Sequence, residues 1–248
     1  MPKNVVTYID LFAGLGGIRL GFSNGFKNKG IDTKCVFSSE IKDYAIKVYS
    51  KYYGDKDIKG DITQIGVEDI PDFDYLLAGF PCQPFSSAGG RKGFLDTRGT
   101  MFFEIERILQ GKIDANKPAK GFLLENVEGL INHENGDTLK TIISHLENLG
   151  YKVSYKLLDS QYFGLAQSRK RVYIVGTLEE TVDLEDFEET NLVGSHYFPE
   201  QKLLNKILEL CGGANGLPNI EGGFFTQNGK HCHINDIRFL RSDIALYI

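Results

Sequence analysis

Through the first 176 residues, short apolar runs alternate with amphipathic stretches. The runs at 5–12, 34–39, 75–79, 121–125, 153–158 and 172–176 are each too short for a helix. Most are rich in Val, Ile, Phe or Tyr, and they predict strands. Between them, 17–29, 42–53, 100–110 and 138–149 carry apolar residues at helical spacing. The stretch 138–149 shows the period most clearly, and Gly150 stops it where a helix C′ glycine belongs. Strands and helices alternating in this way predict an α/β fold, a doubly wound and mostly parallel sheet covered on both faces. After Gly176 the pattern changes: 177–189 is rich in charge, 200–210 predicts one helix, and 212–216 and 221–223 are glycine-rich turns. The expected division is a domain over 1–176 and a small irregular region over 177–248, with no internal repeat.

Composition narrows the class. With 248 residues and 42% hydrophobic content, the chain has enough apolar residues for a full core, and no apolar run approaches the roughly 18 residues of a membrane span. The stretch before Asp10 lacks the apolar core of a signal peptide, so the expectation is an intracellular, soluble protein without a membrane partner. Cys35, Cys82, Cys211 and Cys232 are widely spaced, and neither a disulfide framework nor a zinc site is signalled. His231-Cys232-His233 is the only metal-like cluster; adjacent residues of an extended chain face opposite ways and no second ligand pair is near, so no metal is expected. The net charge of −5 would speak against a nucleic-acid partner, but it is unevenly spread. Residues 1–176 hold 23 basic and 21 acidic side chains, a net of +2; residues 177–248 hold 5 and 12, a net of −7.

Four motifs carry chemistry. In Asp10-Leu11-Phe12-Ala13-Gly14-Leu15-Gly16-Gly17-Ile18, a strand runs into a glycine-rich turn and a helix, where a ligand can approach backbone N–H groups. The spacing is not that of a dinucleotide fingerprint, and a plain tight turn fits equally. Glu40 at the end of the second strand can accept both hydroxyls of a ribose, and Asp61, after the third extended segment, can accept from an adenine amino group. Each alone is more often a helix cap; at successive strand ends of one sheet they outline a nucleoside pocket.

In Phe80-Pro81-Cys82-Gln83-Pro84, a thiol stands between two prolines directly after a buried strand. A lone cysteine is usually a small buried hydrophobe, but rigid placement at the ligand end of a sheet favours a nucleophile. Glu125, at the end of the fourth strand in Leu124-Glu125-Asn126-Val127, is desolvated unless paired and can donate a proton; a helix cap is the alternative. Finally, extended spacing puts Gln167, Arg169 and Arg171 on one face, able to hold a base edge or phosphate, or merely a charged strand edge.

With Phe12-Ala13-Gly14, Pro81-Cys82-Gln83, Glu125-Asn126-Val127 and Gln167-x-Arg169-x-Arg171 in this order, the chain closely resembles the bacterial DNA (cytosine-5)-methyltransferases of restriction–modification systems. The resemblance covers about 5–176 and implies a Rossmann-like methyltransferase fold with S-adenosylmethionine as cofactor, in the bacterial cytoplasm. It sets Phe12, Ala13, Gly14, Gly16 and Gly17 against the methionine part, Glu40 with Ile41 at the ribose, Asp61 with Ile62 near the adenine, and Pro81 beside the cofactor. It has Cys82 attack C6 of a cytosine, Glu125 bond or protonate N3, and Arg169 and Arg171 hold the base and its flanking sugar-phosphate. The chemistry agrees: C6 is a poor electrophile that needs a soft, strong nucleophile, and charge drawn to N3 develops only in the transition state. A base stacked in a duplex offers neither face to a thiol and must be flipped out, at a cost of a few kcal/mol. Gln83, Ser86, Arg91, Lys92, Arg98 and Gln167 are the expected contacts to double-stranded DNA.

Complete members of that family continue with a target-recognition region, a joining segment and a closing helix that completes the cofactor pocket. Here 237–243 resembles the start of the joining segment, so 177–248 is expected to be a partial recognition region. The favoured expectation is a split member, with a small partner subunit supplying the rest; a truncated, inactive remnant and a self-sufficient minimal fold are the other two. A tRNA cytosine-C5 methyltransferase of the same fold is the alternative activity.

Overall fold

The computed structural model describes residues 5–81, 101–163 and 167–184, together with strand backbone at 220–221, 224–227 and 230–233. Contacts divide the chain into two compact units, Met1–Asp159 with Lys170–Glu188, and Ser160–Arg169 with Glu189–Ile248.

In the first unit each of the six apolar runs forms a strand. The order is β1 (Val5–Leu11), α1 (Gly17–Asn28), β2 (Asp32–Ser39), α2 (Asp43–Tyr53), β3 (Tyr75–Gly79), α3 (Met101–Asp114), β4 (Gly121–Val127), the single turn α4 (Gly129–Asn132), α5 (Asp137–Asn148), β5 (Lys152–Asp159) and β6 (Lys170–Thr177). They make one sheet in the order β2-β1-β3-β4-β6-β5. β1 pairs in parallel with β2 and β3, and β3 with β4, whereas β6 runs antiparallel to both β4 and β5. The successive residues Tyr8, Ile9, Asp10 and Leu11 of β1, and Leu76, Leu77 and Ala78 of β3, are all buried. Both faces of the sheet's centre are therefore covered, which is why these strands read as continuous apolar runs rather than alternating ones. α5 buries Leu139, Ile142 and Leu146, one stripe of a 3.6-residue period, and the chain leaves it through Gly150 at φ 92°.

The chain moves outward from β1 to β2 and then crosses to β3 on the other side. That reversal is a topological switch point, and ligands of open α/β sheets bind outside the strand carboxyl ends there. The glycine-rich turn leaves β1 at this point and the Pro81 loop leaves β3. The third extended segment is only a single parallel bridge, Ser39 to Lys59, beside β2.

The second unit contains a small antiparallel sheet of β7 (Ile220–Glu221), β8 (Phe224–Gln227) and β9 (Lys230–His233), paired in that order. The helix expected at 200–210 and the joining segment at 237–243 lie outside the described residues. Among those residues, no helix is long and apolar enough to cross a membrane, and no group of three His, Cys, Asp or Glu stands ready to hold a metal.

Candidate active site

The turn after β1 is built on unusual backbone. Phe12, Gly14 and Gly16 have φ of 52°, 54° and 84°. For Phe12 this left-handed conformation costs energy that its surroundings must repay. Ala13 N–H donates to Ser39 O at 3.0 Å and Gly16 N–H to Ala13 O at 2.8 Å, which curls the turn against the end of β2. A Cβ placed on Gly14 would meet nothing nearer than Phe12 O at 3.9 Å, so the missing side chain leaves open space over the backbone. At Gly16 the reason for glycine differs: a Cβ there would fall 2.3 Å from the Tyr53 ring.

Glu40, 8% exposed, is the fixed point of this half. Its Oε2 accepts from Gly14 N–H at 2.8 Å, and its Oε1 accepts from Ile41 and Lys42 N–H, each at 2.9 Å. One carboxylate thus ties the chain between β2 and α2 to the glycine turn, and Oε2 keeps acceptor capacity for another donor. Leu15 and Ile41 flank it as exposed apolar side chains. Asp61 accepts from Thr63 N–H at 3.0 Å and Thr63 Oγ1 at 2.8 Å through Oδ1 alone. Asp61 is a helix cap and Glu40 a tie between backbone segments, and both have lone pairs left over. Ile62, grouped with Asp61 by the sequence, is buried in the hydrophobic core.

Beneath the turn lies a polar cluster that the motifs did not signal. Buried Asp10 accepts from the Tyr49 hydroxyl at 2.8 Å, and burial pushes its carboxyl up to about 7, against the lowering effects of that bond and of Arg19. Arg19 donates to Tyr49 Oη at 2.9 Å and to Asp55, and its guanidinium lies 3.9 Å from the centre of the Tyr53 ring. Tyr53 in turn donates to Gly16 O at 2.6 Å. Their mutual spacing of 30 to 39 residues along the chain hid them from any local pattern.

The other half is formed by β3, β4 and β6. Glu125 lies opposite Gly79, the last residue of β3, and diagonal to Arg171 of β6. Arg171 Nε meets Glu125 Oε1 at 2.7 Å, with side chains 18% and 23% exposed. The carboxylate is therefore paired and partly solvated, not the isolated buried acid that its strand position alone suggested. A Cβ on Gly79 would be 3.4 Å from Glu125 Oε2, so the strand leading to Pro81 passes close by the carboxylate. Asn126, on the opposite face and 2% exposed, donates from Nδ2 to Phe80 O at 3.0 Å and accepts from Val127 N–H at 2.8 Å. It ties the exit of β4 to the exit of β3, a role for which only its place beside Glu125 was a signal.

Cys82, Gln83, Ser86, Arg91, Lys92 and Arg98 lie outside the described residues. Pro81 is the exposed last described residue of its loop. β6 begins at Lys170, so Arg171 stands in the strand while Gln167 and Arg169 precede it. Ser160 N–H donates to Arg169 O at 3.2 Å, one step on from the Asp159–Lys170 pair that ends the β5–β6 ladder, and Ser160 Oγ donates to Gln167 O at 2.5 Å.

A family model described as C-5 cytosine-specific DNA methylase matches residues 6–221. The chain belongs to this family. The type II methyltransferase M.NlaX of Neisseria lactamica is 55% identical over 175 residues, which cover 71% of this chain and 53% of the relative. M.NlaIV, from the same species, is 49% identical over 229 residues, 90% of this chain and 49% of that one. This methylase chain thus spans about half the length of the curated relatives it matches. Among solved structures, S. pombe Dnmt2 superposes with a TM-score of 0.57 at 24% identity, over 72% of this chain and 52% of that chain, a likeness of fold. The match to the methylase model covers every strand of the six-stranded sheet and reaches β7 of the small one.

Proposed function

We propose that this chain transfers a methyl group from S-adenosylmethionine to C5 of a flipped-out cytosine in a specific double-stranded DNA sequence, protecting host DNA from a cognate restriction enzyme. The observation that carries the reading is the Glu125–Arg171 pair beside the strand that leads to Pro81 and Cys82, in a chain of the cytosine-specific family.

The residues around Gly14 fit the cofactor. The open backbone at Gly14 suits close approach of its amino-acid part, the spare capacity of Glu40 Oε2 suits a ribose hydroxyl, and exposed Leu15 and Ile41 suit apolar contact. When bound, S-adenosylmethionine supplies an electrophilic methyl group. Cys82 forms a bond to C6, which breaks the C5–C6 double bond and makes C5 nucleophilic. Glu125 bonds N3, where charge gathers as the adduct forms, and Arg171 holds the Glu125 carboxylate in line. Arg169 takes the flanking sugar-phosphate. Loss of the C5 proton and departure of the Cys82 thiolate restore the ring.

The test uses duplex DNA carrying 5-fluorocytosine throughout, since fluorine cannot leave C5 as the proton does and the adduct is trapped. With S-adenosylmethionine, the wild-type chain is expected to form a covalent adduct that Cys82→Ser abolishes. Adducts on tRNA and never on duplex DNA would overturn the DNA reading; no adduct with either would make the chain an inactive remnant. The assay is run on the chain alone and with any protein that co-purifies with it, which tests the small-subunit expectation separately.

A further inference from the structure

Arg19 is placed at a cost. It lies in the first turn of α1, near the positive end of the helix dipole, in a helix whose first turn has no acidic residue and whose N-cap makes no side-chain bond. It is also 9% exposed, and a guanidinium so far out of water persists only when it is paired and hydrogen-bonded. Burial opposes its charge, but the Asp55 hydrogen bond and its neighbours outweigh that and raise its pKa above the usual arginine value.

Its partners show what it is for. Tyr49 and Tyr53 are neighbours on α2 with ring centroids 4.7 Å apart, and the guanidinium lies over both, at 5.2 and 3.9 Å. The two tyrosine hydroxyls reach the two ends of the glycine turn: Tyr49 donates to Asp10, which precedes it, and Tyr53 to Gly16 O, which closes it. Phe12, strained at positive φ, and Gly14 lie between these anchors. We propose that Arg19 is a positioning residue for the cofactor turn, clamping Tyr49 and Tyr53 so that their hydroxyls hold both ends of residues 10–16 in the conformation that receives the methionine part of S-adenosylmethionine. This rests on the cofactor assignment above.

Two measurements on the full chain test it. The first is hydrogen exchange without ligand, comparing wild type with Arg19→Met, Arg19→Lys and Tyr53→Phe. Arg19→Met should speed exchange at least tenfold in peptides covering 10–17 and leave β3, β4 and α5 unchanged. Arg19→Lys, which keeps the charge but loses the planar fork, should fall between it and wild type. Tyr53→Phe, which keeps the ring and loses the Gly16 bond, should loosen the Gly16 end alone. The second is calorimetric binding. Arg19→Met should weaken S-adenosylmethionine at least tenfold and 5′-methylthioadenosine, which lacks the amino-acid part, less than threefold. Unchanged exchange at 10–17, equal acceleration across the unit, or equal weakening of the two ligands would overturn the proposal. If Arg19→Met does not fold, Arg19→Lys and Tyr53→Phe decide on the same criteria. Wild type failing to bind S-adenosylmethionine would defeat the cofactor assignment, while the exchange comparison would still decide whether Arg19 positions the turn.

Discussion

At the carboxyl end of β2, Glu40 accepts from three backbone N–H groups; at the carboxyl end of β4, Glu125 is held by the side chain of Arg171. The first carboxylate is built into the fold, since the turn and the start of α2 both depend on it. The second is paired with the Arg171 side chain of β6, and both side chains keep some exposure, 23% and 18%. On the proposed assignment, the cofactor side of the switch point is preorganised through contacts to main chain, and the chemical side through a contact between side chains.

The largest effect should come from Glu40→Ala. It strips a charged acceptor from three N–H groups, and with charge-assisted bonds worth about 1.5–3 kcal/mol each, a loss of about 3 kcal/mol or more is expected in urea unfolding. A loss below about 1 kcal/mol would mean that the turn does not rely on this carboxylate.

Next comes Asp10, whose folded carboxyl is raised by burial from 3.8 to about 7. The folded chain keeps a proton that the unfolded chain releases. This contribution to stability is complete below about pH 4 and is lost as pH rises to about 7, a decline on the order of a few kcal/mol. Asp10→Asn has no proton to lose, so urea midpoints at pH 5 and pH 7.5 should differ less in the variant than in wild type. An equal difference would place the titration elsewhere.

Asn126→Ala removes a buried bond to Phe80 O and should cost about 1–2 kcal/mol, while slowing adduct formation on 5-fluorocytosine DNA at least tenfold, because Cys82 follows Phe80 by two residues. A stability loss with an unchanged adduct rate would make it a packing residue only. The smallest effect on stability belongs to Glu125→Gln, which keeps the side chain's shape and an acceptor oxygen for Arg171, with the adduct rate falling by at least a hundredfold. If Glu125→Gln unfolds the chain as Glu40→Ala does, the contrast between the two halves fails.

Much of the sheet was legible because its central strands are buried on both faces and must be apolar throughout, as at Leu76, Leu77 and Ala78. The stop at Gly150 was legible because a left-handed residue there favours glycine. At the site, Glu40 and Asp61 are each open to two readings in the sequence, and the structure shows Asp61 as a cap and Glu40 as a backbone tie, both with lone pairs to spare. What could not be read depends on partners distant in the chain. α1 looked like an ordinary amphipathic helix, and nothing near Arg19 announces Tyr49 or Asp55. Of Gln167, Arg169 and Arg171, only Arg171 stands within β6, because where a strand begins depends on the partner strand it meets.

By itself the sequence determined the six strands, most of the helices between them and the order of the motifs, since burial on a sheet or a helix face imposes a local period. It did not determine that β6 runs antiparallel between β4 and β5, that Arg171 thereby meets Glu125, or that Arg19 joins two tyrosines beneath the glycine turn. Those are pairings between segments far apart in the chain, and their energy exists only once the chain has closed around them.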